Sequence, residues 1–287
     1  MSDLFENSVM LRAGDWEAAV LPGFGMNMVS LRCKGKPILR EPADRRTLEE
    51  NPHVYGIPLL FPANRTEKGE FSFNGHIYHL PLNEPQRGNH IHGLLYNAPF
   101  AVLRQTENSV TARFENMGKR YPFPFVMEIT DTLTENGLQR VLKLTNNGKG
   151  EFPYTLAFHT AFAEPESFST PIGERFLCNE FYIPTGEMTA LTEQEARYCT
   201  GSPAKDVVIS GFYKAEGHTA RLDDIVFSVS ESFDEWILFN GGGTQGFLCI
   251  EPQCGEVNGL NRAEGHRVLA PGETAEFVME ISKEAVK

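Results

Sequence analysis

The sequence predicts an all-β protein built as a large antiparallel β-sandwich. Two Asn-Gly pairs, at 74–75 and 136–137, stand between runs that alternate apolar and polar residues, and Asn-Gly in that setting is a strong hairpin signal. Many further short runs are separated by turn residues, and helical periodicity is rare, which argues against alternating strand–helix architectures. We expect one domain over residues 1–287.

The strand candidates follow one another along the whole chain. The run after residue 126 has the clearest alternation, because Met127, Ile129, Asp131 and Leu133 fall on one side of it. The other candidates are 8–13, 16–21, 26–33, 71–82, 98–105, 109–115, 137–148, 152–162, 219–230, 235–240, 246–251, 266–270 and 274–282. Helical turns are expected at 45–51 and 192–199.

The composition argues against several classes of function. The formal net charge of −12 disfavours nucleic acid and anionic membranes as partners, since both require a basic field. The N-terminus has no basic segment followed by an apolar run, and no stretch approaches the roughly 18 apolar residues of a membrane span. The five scattered cysteines are typical of free thiols in a reducing cytoplasm, so we expect a cytoplasmic protein.

Asn64 and Arg65 directly follow an apolar run in "GIPLLFPANRTEKGEF" (56–71). An arginine in this position is either held at the rim of a pocket or exposed after a strand. The planar guanidinium group suits oxygen-rich ligands such as sugars or carboxylates. We therefore treat Asn64 and Arg65 as candidate ligand-binding residues.

His90 and His92 lie two residues apart in "NHIHGLL" (89–95). In an extended segment both side chains would point to the same face, as in a His-x-His metal pair, which needs further ligands. The alternatives are that one histidine is functional or that neither is. Gly93 allows backbone or ligand to approach closely.

His159 and Glu251 are polar residues in strongly apolar strands. Alternation in "YTLAFHTAFAEP" (154–165) places His159 between two alanines on one face, which is compatible with a proton-transfer group or with a satisfied core histidine. In "GFLCIEPQCGEVNGLN" (246–261), Glu251 lies at the end of an apolar strand. A carboxylate there faces solvent, or it is buried at a cost unless it is paired or used.

These motifs are distributed over most of the chain in a fixed order: the stretch 56–81, then "HIHGLLYNAPFAV", "LAFHTAF" and "GFLCIEPQ". In this order they resemble the motifs of the aldose 1-epimerase, or galactose mutarotase-like, family. The resemblance implies the family's supersandwich fold and its activity, the cofactor-free interconversion of sugar anomers. It also implies that His92, His159 and Glu251 are catalytic, that Arg65 binds sugar beside Asn64, and that no metal takes part.

The chain departs from the family pattern at two places. The family often has an arginine and then a tryptophan after the His-Gly pair, whereas this chain continues "GLLYNAPF". The resemblance also implies a sugar-binding aspartate between His159 and Glu251 in a Gly-Tyr-Asp-His type of segment, and this chain lacks that segment. The candidates are Asp223, Asp224 and Asp234, of which we assign Asp224.

We predict an isomerase that acts on a free hexose. In the implied mechanism Glu251 is the base on the anomeric hydroxyl, His159 is the acid on the ring oxygen, and His92 assists. The alternatives are a sugar-phosphate 1-epimerase, a non-catalytic carbohydrate-binding protein, and a metal-dependent cupin-type enzyme that uses both His90 and His92.

Overall fold

The computed structural model describes residues 7–284, which form 26 strands, two short α-helices and a 3-10 turn at Gly259–Asn261. The first thirteen strands are β1 (Val9–Ala13), β2 (Trp16–Leu21), β3 (Asn27–Cys33), β4 (Lys36–Pro37), β5 (Leu59–Leu60), β6 (Arg65–Glu67), β7 (Glu70–Phe73), β8 (His76–His79), β9 (Asn89–Ile91), β10 (Ala101–Gln105), β11 (Ser109–Met117), β12 (Pro124–Thr134) and β13 (Gly137–Thr145). The others are β14 (Phe152–Tyr154), β15 (Leu156–Phe158), β16 (Ala161–Ala163), β17 (Phe168–Ser169), β18 (Ile172–Cys178), β19 (Pro184–Thr189), β20 (Ser210–Ala215), β21 (Thr219–Leu222), β22 (Ile225–Val229), β23 (Glu235–Phe239), β24 (Phe247–Cys254), β25 (Arg267–Leu269) and β26 (Thr274–Lys283).

Two eight-stranded sheets form the body of the fold. Sheet I has the order β10-β11-β12-β13-β26-β22-β21-β17, and sheet II has the order β19-β18-β20-β23-β24-β15-β5, with β16 also paired to β24. A four-stranded sheet runs from β1 to β4, and three two-stranded pairs complete the set. The named strands of sheets I and II pair antiparallel, so the predicted all-β antiparallel fold is confirmed.

Alternation decides which side chains enter the core. Along β12 every second residue from Phe125 to Leu133 is buried, and the residues between them are partly exposed, as the sequence predicts. The main apolar cluster joins such residues of sheet I, including Phe277, to Phe158 and Ile250 of sheet II. Sheet II therefore turns its even-numbered β24 residues to the core and its odd-numbered ones to the other side.

Both predicted helical turns form, and a side chain caps each. Helix α1 (Arg45–Glu50) begins after Asp44, whose carboxylate accepts a hydrogen bond from the Thr47 amide. Helix α2 (Glu193–Arg197) begins after Thr192, which forms a capping box with Glu195. Within residues 7–284 no helix has the length and apolar character needed to cross a membrane.

The structure differs from the strand prediction in several regions. The prediction omitted β4, β5, β6, β9 and β20 altogether, and two further regions also differ from it. The run 152–162 is three short strands rather than one. Strand β14 pairs with β25, whereas β15 and β16 pair with β24 on either side of residues 159–160. The strands between 168 and 189 carry mostly exposed or partly exposed side chains, and they therefore lack the apolar alternation from which strands are recognised.

Candidate active site

A cavity of about 330 Å³ opens on the side of sheet II that faces away from the core. Seven separate stretches of sequence meet there, and the candidate residues Asn64, Arg65, His92, His159 and Glu251 all line it. The remaining lining residues are Arg87, Ile91, Tyr182, Ser210, Phe212, Ile237, Leu238 and Phe239. The volume lies within the range of small-molecule sites, about 300–1,000 Å³.

Strand register brings His159 opposite Glu251. Ala157 pairs with Gln253 and Ala161 pairs with Cys249, so His159, which lies midway in the break between β15 and β16, falls opposite Glu251. The His159 Nε2 and Glu251 Oε1 atoms are 3.3 Å apart, and the two side chains are 6% and 2% exposed. The pair forms the buried floor of the cavity.

Burial sets the protonation of this pair. It raises the pKa of the Glu251 carboxyl well above its ordinary value, an effect that the positive charge of Arg65 opposes. Burial also lowers the pKa of His159 to about 3, and the nearby His53 ring contributes to that decrease. The low-dielectric surroundings therefore favour a neutral pair that shares one proton.

His92 enters the cavity through a change of backbone conformation. Strand β9 ends at Ile91, and His92 has a positive φ of 64°. Its amide bonds the Asn64 carbonyl at 2.8 Å. Burial lowers the pKa of His92 well below its ordinary value, and the neighbouring histidines lower it further.

His90 does not share the face of His92, contrary to what an extended segment would give. His90 is buried, and its Nδ1 atom lies 2.7 Å from the Pro81 carbonyl oxygen. The left-handed turn at His92 breaks the alternation that would align the two rings. The His-x-His ligand pair required by the cupin interpretation is therefore not assembled.

A third histidine, which the sequence did not single out, lies behind the cavity. The ring centroid of His53 is 4.6 Å from that of His92, 6.4 Å from that of His159 and 4.5 Å from that of Tyr96. Burial lowers the pKa of His53 to about 4. His53 follows helix α1 in a stretch without alternation, so only the three-dimensional fold reveals its position.

Arg65 is fixed by a carboxylate that the sequence also did not indicate. Its Nε and Nη2 atoms donate to the Glu84 oxygens at 2.9 and 2.8 Å, and Arg87 Nη1 donates to Glu84 Oε1 at 2.8 Å. Burial raises the pKa of Glu84, but the hydrogen bonds from Arg65, Arg87 and Asn89 outweigh that effect and leave the pKa below its ordinary value. Glu84 is therefore a carboxylate shared by two arginines.

Asp224, assigned above to sugar binding, lies at a different place. Its carboxylate accepts a hydrogen bond from Lys283 Nζ at 2.6 Å, and it lines a separate depression of about 420 Å³ together with Asp223. Asp234 pairs with Arg267. None of these three aspartates lines the cavity that contains His159 and Glu251.

His159, Cys249 and Glu251 are the one group of described residues that could hold a metal ion, with ligand atoms within 4.8 Å of one another. Imidazole, thiolate and carboxylate are zinc ligands, but each must be deprotonated. Burial, together with the neighbouring Glu251, raises the pKa of the Cys249 thiol well above its ordinary value, and burial also raises the pKa of the Glu251 carboxyl, which opposes the loss of both protons. The trio is therefore better suited to proton transfer than to metal ligation.

Comparisons with known proteins agree with one another. The family model described as aldose 1-epimerase matches residues 8–282. An uncharacterized protein of Escherichia coli K12, YihR, is 29% identical over 188 residues, which span 62% of this chain and 59% of that protein. A galactose mutarotase-like protein of Clostridium acetobutylicum superposes with a TM-score of 0.90 at 24% identity, covering 97% of this chain and 95% of the other. For galactose 1-epimerase of Lactobacillus acidophilus the TM-score is 0.80 at 15% identity, covering 96% and 94%.

Proposed function

The chain belongs to the aldose 1-epimerase family, and from this membership we propose that it interconverts the α and β anomers of a sugar. The observation that carries the proposal is the buried pair of Glu251 and His159, whose Oε1 and Nε2 atoms lie 3.3 Å apart. The substrate has a free anomeric hydroxyl, because that hydroxyl gives up a proton in the reaction.

Anomer exchange requires two proton transfers. The Glu251 carboxylate removes the proton of the anomeric hydroxyl, and the His159 imidazolium donates a proton to the ring oxygen. The bond between C1 and the ring oxygen breaks, and C1 becomes an aldehyde. After rotation about the C1–C2 bond, Glu251 returns its proton to the carbonyl oxygen and His159 takes its proton back from the former ring oxygen, as the ring closes on the other face. Each positioned group contributes roughly 10²- to 10⁴-fold to the rate.

The single proton of the pair supports these roles. In the free protein it resides on Glu251, because burial disfavours both charged forms. Transfer of this proton to His159 gives the carboxylate and the imidazolium that the reaction requires, without exchange with solvent. The positive charge of Arg65 favours the carboxylate form of Glu251 and so assists the transfer.

Three further residues complete the proposed site. His92 lies beside His159, with ring centroids 5.2 Å apart, and we assign it to the ring oxygen or a neighbouring hydroxyl. Arg65 and Asn64 line the wall, and we assign them to oxygen atoms of the sugar's substituents away from C1. Asp224 is left out of the site, because it is paired with Lys283 in another depression.

The variant Glu251→Gln tests the role of the base while keeping the shape of the side chain. We expect anomer exchange of glucose and galactose, followed by polarimetry, to fall by roughly 10²- to 10⁴-fold. As a control, Glu187→Gln on the exposed strand β19 should keep the wild-type rate. Exchange near the wild-type rate in Glu251→Gln, with the variant folded by circular dichroism, would overturn the assignment.

The wild-type protein, treated with a chelator, separates the proposal from its rivals. If the metal-free protein still accelerates anomer exchange above the spontaneous rate, the result supports acid–base catalysis by side chains and contradicts the cupin-type mechanism. Tight sugar binding by calorimetry with no acceleration for any sugar tested would instead indicate a carbohydrate-binding protein.

A further inference from the structure

The part of the cavity wall formed by Arg65 and Arg87 carries more positive charge than its own carboxylate, Glu84, neutralises. The guanidinium carbons of Arg65 and Arg87 lie 5.0 and 4.6 Å from the centre of the Tyr182 ring. Both arginines donate to the same oxygen of Glu84. The two guanidinium groups and the one carboxylate together carry a net charge of one positive unit. This charge lies at the mouth of a cavity in a protein whose own net charge is −12.

The loop that carries Tyr182 is held in place over these arginines. Asn179 Oδ1 accepts hydrogen bonds from the amides of Phe181 and Ile183. Asn89, which follows the turn that contains Arg87, donates to the Phe181 carbonyl at 3.0 Å. Tyr182 itself has a positive φ of 60°, an unfavourable conformation that surrounding contacts must maintain. The guanidinium–tyrosine arrangement is therefore built by two separate loops.

The hydrogen-bonding character of this wall distinguishes between ligands. Arginine has five N–H donors and no acceptor, and Arg87 uses one of them on Glu84. The Asn64 side-chain oxygen faces Arg65 Nη1 at 3.4 Å. Neutral sugar hydroxyls both donate and accept, whereas the oxygens of an ionised phosphate or carboxylate only accept. A wall of donors with surplus positive charge is complementary to an oxyanion.

We infer that Arg87 and Arg65 form an oxyanion subsite, so that the preferred substrate is a sugar with an ionised phosphate or carboxylate on a carbon other than C1. This inference rests on the proposed function, and it names the substrate class for that reaction. The group cannot be on the anomeric oxygen, because anomer exchange needs that oxygen to lose its proton. The side chain of Arg87 is 32% exposed, whereas His159 and Glu251 are almost wholly buried, so the anion lies toward the mouth and C1 toward the floor.

Exchange NMR at anomeric equilibrium tests the inference with glucose, glucose 6-phosphate and glucuronate as probes. We expect the wild-type kcat/KM to be at least about 10-fold higher for one of the two anions than for glucose, since hydrogen bonds to charged groups are worth more than neutral ones. The preference should shrink as salt rises from about 50 to about 500 mM. The anion with the larger preference identifies the group as phosphate or carboxylate.

The variant Arg87→Gln should reduce the ratio of kcat/KM for the preferred anion to that for glucose by roughly 10- to 100-fold. The control Arg104→Gln, on the exposed strand β10, should leave the ratio unchanged. A wild-type ratio near one, or an equal loss for both sugars in Arg87→Gln, would overturn the subsite while leaving the epimerase proposal intact.

Failure of the epimerase proposal has a different signature. If the wild-type protein accelerates exchange of none of the three sugars, calorimetric titration with glucose 6-phosphate, glucuronate and glucose takes the place of the rate measurement. Tighter binding of an anion, lost in Arg87→Gln, would then support the subsite in a protein that is not an epimerase. Equal or absent binding would overturn the subsite as well.

Discussion

The depth at which Glu251 and His159 lie determines how the site handles protons. An exposed glutamate and histidine would titrate independently. The form with a deprotonated glutamate and a protonated histidine would then predominate only between their ordinary pKa values. Burial reverses the order of the two pKa values, so the pair keeps one proton between a low and a raised macroscopic pKa. The protonation state that the proposed reaction requires is thereby available over a wide range of pH.

This reversal predicts the pH profile of anomer exchange. The pair carries one proton over a limited range of pH. The lower limit of that range is the protonation of His159, whose pKa is about 3. The upper limit is the deprotonation of Glu251, whose pKa lies above the ordinary glutamate value. We expect kcat/KM to stay level as pH rises through 6.5, measured with a neutral sugar and corrected for the spontaneous rate. A bell-shaped profile confined between about 4.3 and 6.5 would indicate two independent groups with ordinary pKa values.

Individual candidate residues of the site were predictable where they interrupt a strong pattern. His159 and Glu251 stand out because polar side chains occur there in otherwise apolar strands, and Arg65 stands out at the end of an apolar run. His53 and Tyr182 lie in loops without periodicity, and their approach to the site depends on contacts with distant segments. Asp224 has the expected residue type, but the fold pairs it with Lys283.

At the scale of elements, close contact between two segments places His92. Residues 61–64 run beside residues 92–94: Phe61 forms a bridge to Gly93, and the His92 amide bonds the Asn64 carbonyl. Gly93 has a φ of 64°, and a Cβ atom there would lie 2.0 Å from the Phe61 carbonyl oxygen. The segments can approach this closely only because residue 93 has no side chain.

The variant Gly93→Ala should therefore be destabilised and lose activity together. A left-handed conformation costs a non-glycine residue about 1–2 kcal/mol, and the clash with Phe61 adds roughly 1–3 kcal/mol. The control Gly75→Ala has a φ of 79° but open space around its Cβ, so it should show the conformational cost alone. Urea denaturation gives both free energies of unfolding; equal values for the two variants would contradict the role of the close contact.

Turns and short helices were the elements that the sequence located best. Asn74 and Gly75 both have positive φ, as a tight hairpin turn requires. The other hairpin turns at Glu135–Asn136, one residue earlier than predicted, because Gly137 already pairs with Thr134. The break between β15 and β16 was not predictable, since the residues around it form hydrogen bonds with distant segments, His159 with the Pro58 carbonyl and Ala161 with the Gly56 carbonyl.

At the scale of the whole molecule, one buried ion pair connects three parts of the fold. Arg140 on β13 donates to both oxygens of Asp131 on β12, and neither side chain is exposed. Arg140 also donates to the carbonyl oxygens of Met26, just before β3, and Ile57, just before β5. These hydrogen bonds from Arg140 link sheet I to the four-stranded sheet and to the segment that leads into sheet II.

Removal of one charge from this pair should destabilise the whole molecule. Asp131→Asn leaves Arg140 buried without its counter-ion, and such a loss costs about 3–5 kcal/mol. Glu276→Gln removes the partner of Lys143 from an exposed pair on the same sheet, for which we expect less than about 1 kcal/mol. Urea denaturation of both variants compares them directly, and a loss of similar size in the two would show that burial is not what makes the Arg140 pair important.

The position of β26 has a consequence for the synthesis of this protein. Residues 274–283 form a central strand of sheet I, paired to β13 on one side and to β22 on the other. Until a ribosome has released these residues, the two halves of the sheet present open edges, and nascent chains with such edges are prone to aggregate. Folding of this sheet is therefore completed only after translation has passed residue 283, and chains truncated before β26 are expected to be substrates for chaperones and proteases.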